Sequence, residues 1–185
     1  MSKVLAALAV STDGYITGRN PRPGHGLGDG GVLFDWYGDP GNAATYQQLV
    51  DRVGAVVTGR TTYDDCEGFD GGSPHPTAPM VVLSHRKQPA AYADSQRQVF
   101  ASSIEEAIAR GKELANGKDV GMQGGVTVTA AIEAGLVDEL ILHQVPVLLG
   151  GGRPFFRELS THIPLTLIDT VLGAGVTHLH YRVDH

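Results

Sequence analysis

The feature that most constrains the fold is the alternation of short apolar runs with segments of helical periodicity. The runs at 3–10, 54–59 and 80–84 are apolar at consecutive positions, which is typical of strands covered on both faces. Between them, residues 42–53 repeat apolar side chains three and four positions apart, with Asn42 as a possible N-cap. This alternation predicts an α/β fold with a mostly parallel central sheet flanked by helices. Further strands are predicted at 97–102, 118–125 and 137–150, and further helices at 104–115 and 126–136.

The last part of the chain breaks this alternation. Residues 164–183 contain two strand-like runs joined at Gly173-Ala174-Gly175, which predicts a C-terminal antiparallel hairpin at the end of the sheet. Two loops rich in glycine and proline, at 11–31 and 68–79, interrupt the pattern, but the composition does not shift across them. We therefore expect residues 1–185 to form a single domain.

Net charge and cysteine content exclude several classes of protein. The formal net charge of −6 argues against a surface for nucleic acid or anionic membranes, because such surfaces need clustered positive charge. The single cysteine, Cys66, excludes an intrachain disulfide and a cysteine-rich zinc site, and it fits the cytoplasm. The first apolar run is too short to span a membrane, and the histidines show no metal-ligand spacing. We predict a cytoplasmic protein without a metal that acts on small molecules.

Three junctions that follow predicted strands carry groups suited to binding an anion. Because the carboxyl ends of parallel strands meet at one edge of a sheet, these junctions are expected to lie close together. They offer backbone N–H groups, hydroxyls, two guanidinium groups and a glycine pair that opens a helix. Each has an ordinary strand-to-helix turn as its alternative, and no GxGxxG motif follows the first strand. The junctions are Gly59-Arg60-Thr61-Thr62, Ser84-His85-Arg86 and Gly124-Gly125.

Four segments, spread over nearly the whole chain, resemble the dihydrofolate reductase-like superfamily. The branch they resemble is the C-terminal reductase domain of the bifunctional deaminase-reductase of riboflavin biosynthesis, here standing alone. The resemblance implies a dihydrofolate reductase-like fold, a homodimer, and NADPH as the cofactor of a hydride transfer. The segments are AALAVSTDGYITG, VVTGRTTYD, MVVLSHR and GGVTVTAAIEAGLVDELILHQVPVLLGGGRPFF.

The resemblance also implies which residues bind the cofactor. At the 2′-phosphate end it implies Gly59, Arg60, Thr61, Thr62, Ser84 and Arg86, with His85 against the adenine. Along the pyrophosphate it implies Gly124, Gly125, Val126 and Thr127. Bordering the nicotinamide it implies Ala9, Ile16 and Gly18.

The expected substrate side departs from that of dihydrofolate reductases. Where those enzymes carry a carboxylate for the pterin ring, this chain reads GNAATYQQ and contains no acid. Asp35, Trp36 and Tyr46 are the candidate substrate contacts, and Asp35 or a water would supply the proton. The alternatives are a loop cap for Asp35 and a place in the core for Trp36. We expect the mid-strand His143 to have its hydrogen bonds satisfied.

These observations lead to one leading hypothesis and two alternatives. The leading hypothesis is an NADPH-dependent oxidoreductase acting on a small pterin-like or pyrimidine-like heterocycle, similar to 5-amino-6-(5-phosphoribosylamino)uracil reductase and dihydrofolate reductase. One alternative is an NADP(H)-binding protein without catalysis, such as a sensor or a resistance-type binding module. The other is a flavin-binding reductase. No zinc-deaminase motif is present in the sequence.

Overall fold

The computed structural model describes residues 2–184, which form an eight-stranded sheet with helices on both faces. The order of the strands across the sheet is β4-β3-β2-β5-β1-β6-β8-β7. Their bounds are β1 Val4–Ser11, β2 Val53–Gly59, β3 Met80–Leu83, β4 Gln98–Ala101, β5 Asp119–Gln123, β6 Glu139–Val145, β7 Leu165–Gly173 and β8 Val176–Val183.

Strand direction follows the sequence-based prediction. The strands β1 to β6 pair in parallel, whereas β8 pairs antiparallel with both β6 and β7. This confirms the mostly parallel sheet with a C-terminal antiparallel hairpin. The prediction of a strand over 137–150 was too long, since β6 ends at Val145. Pro146 follows, and it has no N–H to donate to a neighbouring strand.

Residues 2–184 contain four α-helices, which cover the sheet. They are α1 Ala43–Arg52, α2 Arg60–Asp65, α3 Ile104–Leu114 and α4 Gly125–Glu133. The start of α3 is fixed by Ser103, whose hydroxyl accepts from the Glu106 backbone N–H at 3.1 Å.

Asn42 does not cap α1 with its side chain, contrary to the prediction. Instead it is buried and ties two distant segments together. Its amide nitrogen donates to the carbonyl oxygens of Trp36 and Ala174, and its amide oxygen accepts from the N–H of Ala174. A residue that reads as a local cap therefore joins the start of α1 to the β7–β8 turn.

The core lies on both faces of the sheet. The larger cluster packs α3 and α4 against β1, β2 and β5, with Val57, Val120 and Val128 fully buried. On the opposite face, Leu5, Val53 and Val56 pack with Leu49 of α1. This second face is less completely filled, and it carries the smaller cavity described below.

A buried carboxylate anchors the start of β6. Glu139 accepts hydrogen bonds from Lys3, from Arg52 at 2.6 Å and from His180 at 2.7 Å. Burial alone would raise its pKa, but these donors outweigh it and lower the pKa of Glu139 to about 2.

Within residues 2–184, none of the helices has the length and apolar character needed to cross a bilayer.

Candidate functional site

A cleft of about 600 Å³ lies at the carboxyl ends of β1, β2, β3 and β5. We call it the large cleft. The residues that line it come mostly from strand ends and from the first turns of α2 and α4. The first N–H groups of a helix have no intrahelical acceptor, so they can bind a ligand. They include Leu8, Ala9, Ile16, Thr17, Leu27, Phe34, Gly59, Arg60, Thr61, Thr62, Asp65, Cys66, Leu83, Ser84, His85, Arg86, Gln123, Gly124, Gly125, Val126, Thr127, Arg153, Pro154 and Arg157.

The cleft brings together the residues that the sequence assigned to a cofactor, with one exception. All three strand-end junctions line it, and so do Ala9 and Ile16. Gly18 does not line it and is packed against the loop instead, where a Cβ would lie 1.9 Å from Asp29 Oδ1. The edge of the sheet therefore gathers sequence-distant segments into one concave surface.

One end of the large cleft is cationic. Asp64 bridges two arginines, with Arg60 Nε at 2.7 Å from one carboxylate oxygen and Arg86 Nη2 at 2.6 Å from the other. Arg60 also reaches Ser84 Oγ at 3.5 Å and the carbonyl oxygen of Lys87 at 3.3 Å. The two guanidinium groups are held near a hydroxyl at the ends of β2 and β3, which suits an anion.

The first turn of α4 forms another part of this surface. Gly124 precedes the helix with φ of +90° and no side chain caps the helix, so its N-terminus is open to a ligand. At Gly125 a Cβ would lie 2.5 Å from the carbonyl oxygen of Phe155, so that position has no room for a side chain. The glycine pair thus allows the N-terminus of α4 to pack against the backbone of Phe155 on one side and to border the large cleft on the other.

Two further arginines in the cleft were not placed by the sequence. Arg153 pairs with Asp65, and its backbone N–H donates to Thr17 Oγ1 at 3.0 Å. Arg157 lies beyond it along the same segment. These residues follow the glycine-rich stretch 150–152, whose path depends on long-range contacts.

The glycine-rich stretch itself is a bend and does not line the cleft. Asp13 holds it in place, since its carboxylate accepts from the backbone N–H groups of Leu149 and Gly150. The Ser11 hydroxyl donates to the same carboxylate and is the main cause of the lowered pKa of Asp13. Asp13 therefore organises the loop after β1.

A second cavity of about 330 Å³ lies between α1 and the sheet and adjoins the large cleft. We call it the small cavity. The two cavities share the side chains of Phe34 and Gln123. The described residues that line the small cavity are Leu5, Ala7, Phe34, Tyr37, Tyr46, Leu49, Val50, Val53, Val56, Pro74, His75, Pro76, Gly121, Met122 and Gln123.

Of the three predicted substrate contacts, Tyr46 alone lines a cavity. Trp36 is 3% exposed and packs against the rings of both His143 and His178, so its alternative place in the core is the one observed. Asp35 is exposed and lines neither cavity, which removes the geometric basis for a proton donor at this position. The structure therefore brings neither Asp35 nor Trp36 to a cavity.

Phe34 and Tyr37 line the small cavity, whereas the sequence analysis had predicted Asp35 and Trp36 as the contacts from this segment. They lie in a 3-10 helix over Gly31–Gly38, where side chains three positions apart share a side. Their rings stack with centroids 5.1 Å apart, and Tyr37 meets Tyr46 edge-on at 5.0 Å. The helix therefore turns 34 and 37 toward the cavity and 36 into the core. A period of three in this segment was the signal that sequence reasoning missed.

A buried histidine pair lies beneath Trp36. His143 Nδ1 and His178 Nδ1 are 2.7 Å apart, and the two side chains are 3% and 4% exposed. Neither Nε2 atom has a hydrogen-bond partner among the described residues, so the expectation that His143 is satisfied holds for only one ring nitrogen. Burial, followed by the influence of His178, lowers the pKa of His143 to about 3, and burial lowers the pKa of His178 as well.

Comparison with known proteins agrees with this architecture. Over its full length the chain has the same fold as a protein of Shewanella sp. PV-4 provisionally assigned to riboflavin biosynthesis, with 28% identity, complete coverage of both chains and a TM-score of 0.74. The dihydrofolate reductase of Enterococcus faecalis, solved with NADP(H) and RAB-propyl, has the same fold at 18% identity, covering 99% of this chain and 97% of that one, with a TM-score of 0.66.

Sequence comparison gives the family. The Bacillus subtilis protein YyaP is 27% identical over 97% of this chain and 94% of its own length, and YwjB of the same organism is 28% identical over 97% of both. The model of the RibD C-terminal domain family matches residues 2–172. The chain therefore belongs to the RibD C-terminal domain family and has its dihydrofolate reductase-like, reductase-type fold.

Proposed function

We propose that this protein is an NADPH-dependent oxidoreductase that reduces a small heterocyclic substrate. The observation that carries the proposal is the pair of adjoining cavities. One is lined by arginines and an open helix N-terminus, the other is walled by aromatic rings, and the two meet at Phe34 and Gln123. A reductase of this kind needs an anionic dinucleotide and a flat acceptor side by side.

The residues of the large cleft fit the dinucleotide. Arg60, Ser84 and Arg86 would hold the 2′-phosphate, because guanidinium forks match phosphate oxygens and are already held together by Asp64. The open first turn of α4 would face the pyrophosphate. Ala9 and Ile16 would border the nicotinamide, which supplies a hydride when the cofactor is bound. The E. faecalis enzyme with the same fold was solved with NADP(H), which supports this nucleotide as the ligand.

The small cavity would hold the substrate. Phe34, Tyr37 and Tyr46 present ring faces and edges against which a flat heterocycle packs. No carboxylate lies among the described residues that line this cavity, so the proton would come from water that enters through the adjoining cleft. A pyrimidine-like or pterin-like ring is the substrate class. A cytoplasmic location, consistent with the single unpaired cysteine, completes the proposal.

Steady-state oxidation of NADPH tests this function. Purified protein is incubated with NADPH and a panel of oxidised pyrimidine-like, pterin-like and flavin-like compounds, and absorbance at the reduced nicotinamide band is followed. Turnover with at least one acceptor, with a KM for NADPH raised by about 10- to 100-fold in Arg60→Ala, is the expected result. Tight NADPH binding without turnover of any acceptor would favour the alternative of a binding module without catalysis, which the lack of an acid in the small cavity keeps open.

We propose further that two copies of this chain associate through β7. This strand lies at the edge of the sheet and exposes apolar side chains, with Leu167 at 55% and Leu172 at 81%. An edge strand with exposed apolar residues is a template for pairing with other chains and can cause aggregation. Burying the strand in a homodimer removes that risk. Leu165, Ile168 and Val171 are exposed on the same strand.

Replacing Leu167 with lysine is expected to convert the dimer into a monomer. A charge at the centre of an apolar interface loses the hydrophobic contribution and adds a desolvation cost, together enough to raise the dissociation constant by about 100-fold or more. Sedimentation velocity at several concentrations measures the change. Leu148→Lys is the matched control, because Leu148 is 72% exposed and is not part of β7. A wild-type protein that stays monomeric at all concentrations would contradict the proposal.

A further inference from the structure

Residues 67–71, which follow α2 and Cys66, have a left-handed backbone. All five have φ between +50° and +73°, and three of them, Glu67, Phe69 and Asp70, are not glycine. This conformation raises the free energy of a residue that carries a Cβ, so consecutive residues rarely share it. We call the segment the left-handed turn. Because such a backbone persists only where its surroundings impose it, the contacts around the turn identify what holds it.

Two hydroxyl groups from the segment before β4 hold the left-handed turn by its main chain. The hydroxyl of Tyr92 donates to the carbonyl oxygen of Glu67 at 2.9 Å. The hydroxyl of Ser95 donates to the carbonyl oxygen of Gly71 at 2.6 Å. Both acceptors are backbone atoms, so these bonds stabilise the path of the chain whatever side chains the turn carries.

Gln98, at the start of β4, makes the central contact. Its Nε2 donates to the carbonyl oxygens of Gly68 at 2.7 Å and Gly72 at 2.9 Å. Its Oε1 accepts from the hydroxyl of Tyr63 at 3.1 Å. Tyr63 belongs to α2, and both Tyr63 and Gln98 are buried. A single buried amide therefore joins the left-handed turn to the helix that precedes it.

The helix α2 needs such an anchor because it has six residues, too few to hold a fixed orientation by its own hydrogen bonds. Arg60 at its start and Asp65 at its end both line the large cleft. Asp65 pairs with Arg153, another residue of the cleft, and its carbonyl oxygen accepts from the N–H of Gly24 at 3.0 Å. The position of α2 therefore sets one wall of the large cleft.

Building on the proposed function, we propose that Gln98 is a positioning residue of the nucleotide site and acts through the left-handed turn. Gln98 lines neither cavity. Its amide holds the turn against relaxation to an ordinary backbone, and so holds the end of α2. Arg60 and Asp65 are then in place before a nucleotide binds, which limits the ordering cost. Without the amide, the fraction of molecules with α2 in place falls, and the apparent affinity falls with it.

Calorimetric titration of NADPH into a variant and its suppressor tests this role. Gln98→Met removes three hydrogen bonds at similar volume and is expected to weaken NADPH binding by about 10-fold. Adding Asp70→Gly should restore most of the affinity, because glycine adopts φ of +50° without strain and the Asp70 side chain is exposed. Adding Asp70→Ala, which lacks that freedom, should restore none.

A neighbouring glutamine provides the matched control. Gln96 is exposed, and its amide donates to the carbonyl oxygen of Asp94, outside the left-handed turn. Gln96→Met should bind NADPH as wild type does. If Gln98→Met does not fold, Tyr92→Phe removes one of the hydroxyl bonds and is expected to weaken NADPH binding by about 3-fold, again reversed by Asp70→Gly.

Hydrogen exchange of the ligand-free proteins tests the same role without a nucleotide. Amides of residues 60–72 should exchange faster in Gln98→Met and slow again with Asp70→Gly, whereas those of β5, Asp119–Gln123, should match wild type. Unchanged NADPH affinity in Gln98→Met, even with a lower free energy of unfolding in urea, would overturn the proposal, as would a loss that Asp70→Ala reverses equally well. Wild type that does not bind NADPH would reject the proposed function, and the exchange rates would then decide whether Gln98 positions α2.

Discussion

Replacement of Arg60 by alanine is expected to weaken NADPH binding by about 10- to 100-fold and to leave NADH binding nearly unchanged. A hydrogen bond to a charged group contributes about 1.5–3 kcal/mol, which corresponds to this range. The side chain of Arg60 is held by Asp64 at 2.7 Å and faces the cleft beside Ser84, so little ordering cost remains when a phosphate binds. NADH lacks the 2′-phosphate, so its affinity should not depend on Arg60.

Calorimetric titration of both nucleotides into wild type and Arg60→Ala measures the effect. Arg110→Ala is the matched control, because Arg110 is an exposed arginine of α3 that pairs with Glu113 and does not line the cleft. The control should bind both nucleotides as wild type does. Equal affinity of wild type for NADPH and NADH, or an unchanged preference in the Arg60 variant, would refute the role given to this arginine.

The buried histidine pair is expected to make folding stability fall steeply between pH 7.5 and pH 5. The pKa values of His143 and His178 lie below the unfolded value of about 6.5, so the folded pair stays neutral while the unfolded histidines take up protons. The stability they contribute is complete above about pH 6.5 and is lost as the pH falls toward the folded values. At about 1.4 kcal/mol per proton and pH unit, the loss by pH 5 is about 2 kcal/mol for His143, and His178 adds to the loss in the same direction.

Urea unfolding at half-unit pH steps measures this loss. Glu139 also has a lowered pKa, but its contribution is lost only below about pH 4.5, so the interval from pH 7.5 to 5 isolates the histidines. His143→Gln with His178→Gln should flatten the profile, whereas His162→Gln, at an exposed histidine, should leave it unchanged. Since the double variant loses stability at every pH, the slope and not the absolute free energy is compared. A wild-type free energy of unfolding that stays constant from pH 7.5 to 5 would contradict the prediction.

The sequence by itself determined the features that depend on contiguous segments of the chain. Each strand and the turn after it form a local unit, so the VVTGRTTYD and GGVTV segments carry both the end of a strand and the backbone that follows it. Parallel pairing then brings such turns to one edge whatever the rest of the fold does. For this reason the parallel sheet, the closing hairpin and the three strand-end junctions of the large cleft could be predicted, whereas Leu27, Arg153 and Arg157, which reach the cleft from loops, could not. Gly18, in a loop without periodicity, was predicted to border the cofactor and does not line the cleft.

The tertiary structure alone decided the substrate side and the buried histidines. The small cavity takes its walls from β1, a 3-10 turn, α1, β2, the loop at 74–76 and β5, so no single stretch of sequence describes it. Adjacent residues in that 3-10 turn point in different directions, which is why Phe34 faces the cavity while Asp35 is exposed and Trp36 is buried. His143 and His178 meet because β6 and β8 pair in one register of an antiparallel ladder. Such contacts depend on where separate elements pack, and packing is a property of the whole chain and not of any local pattern.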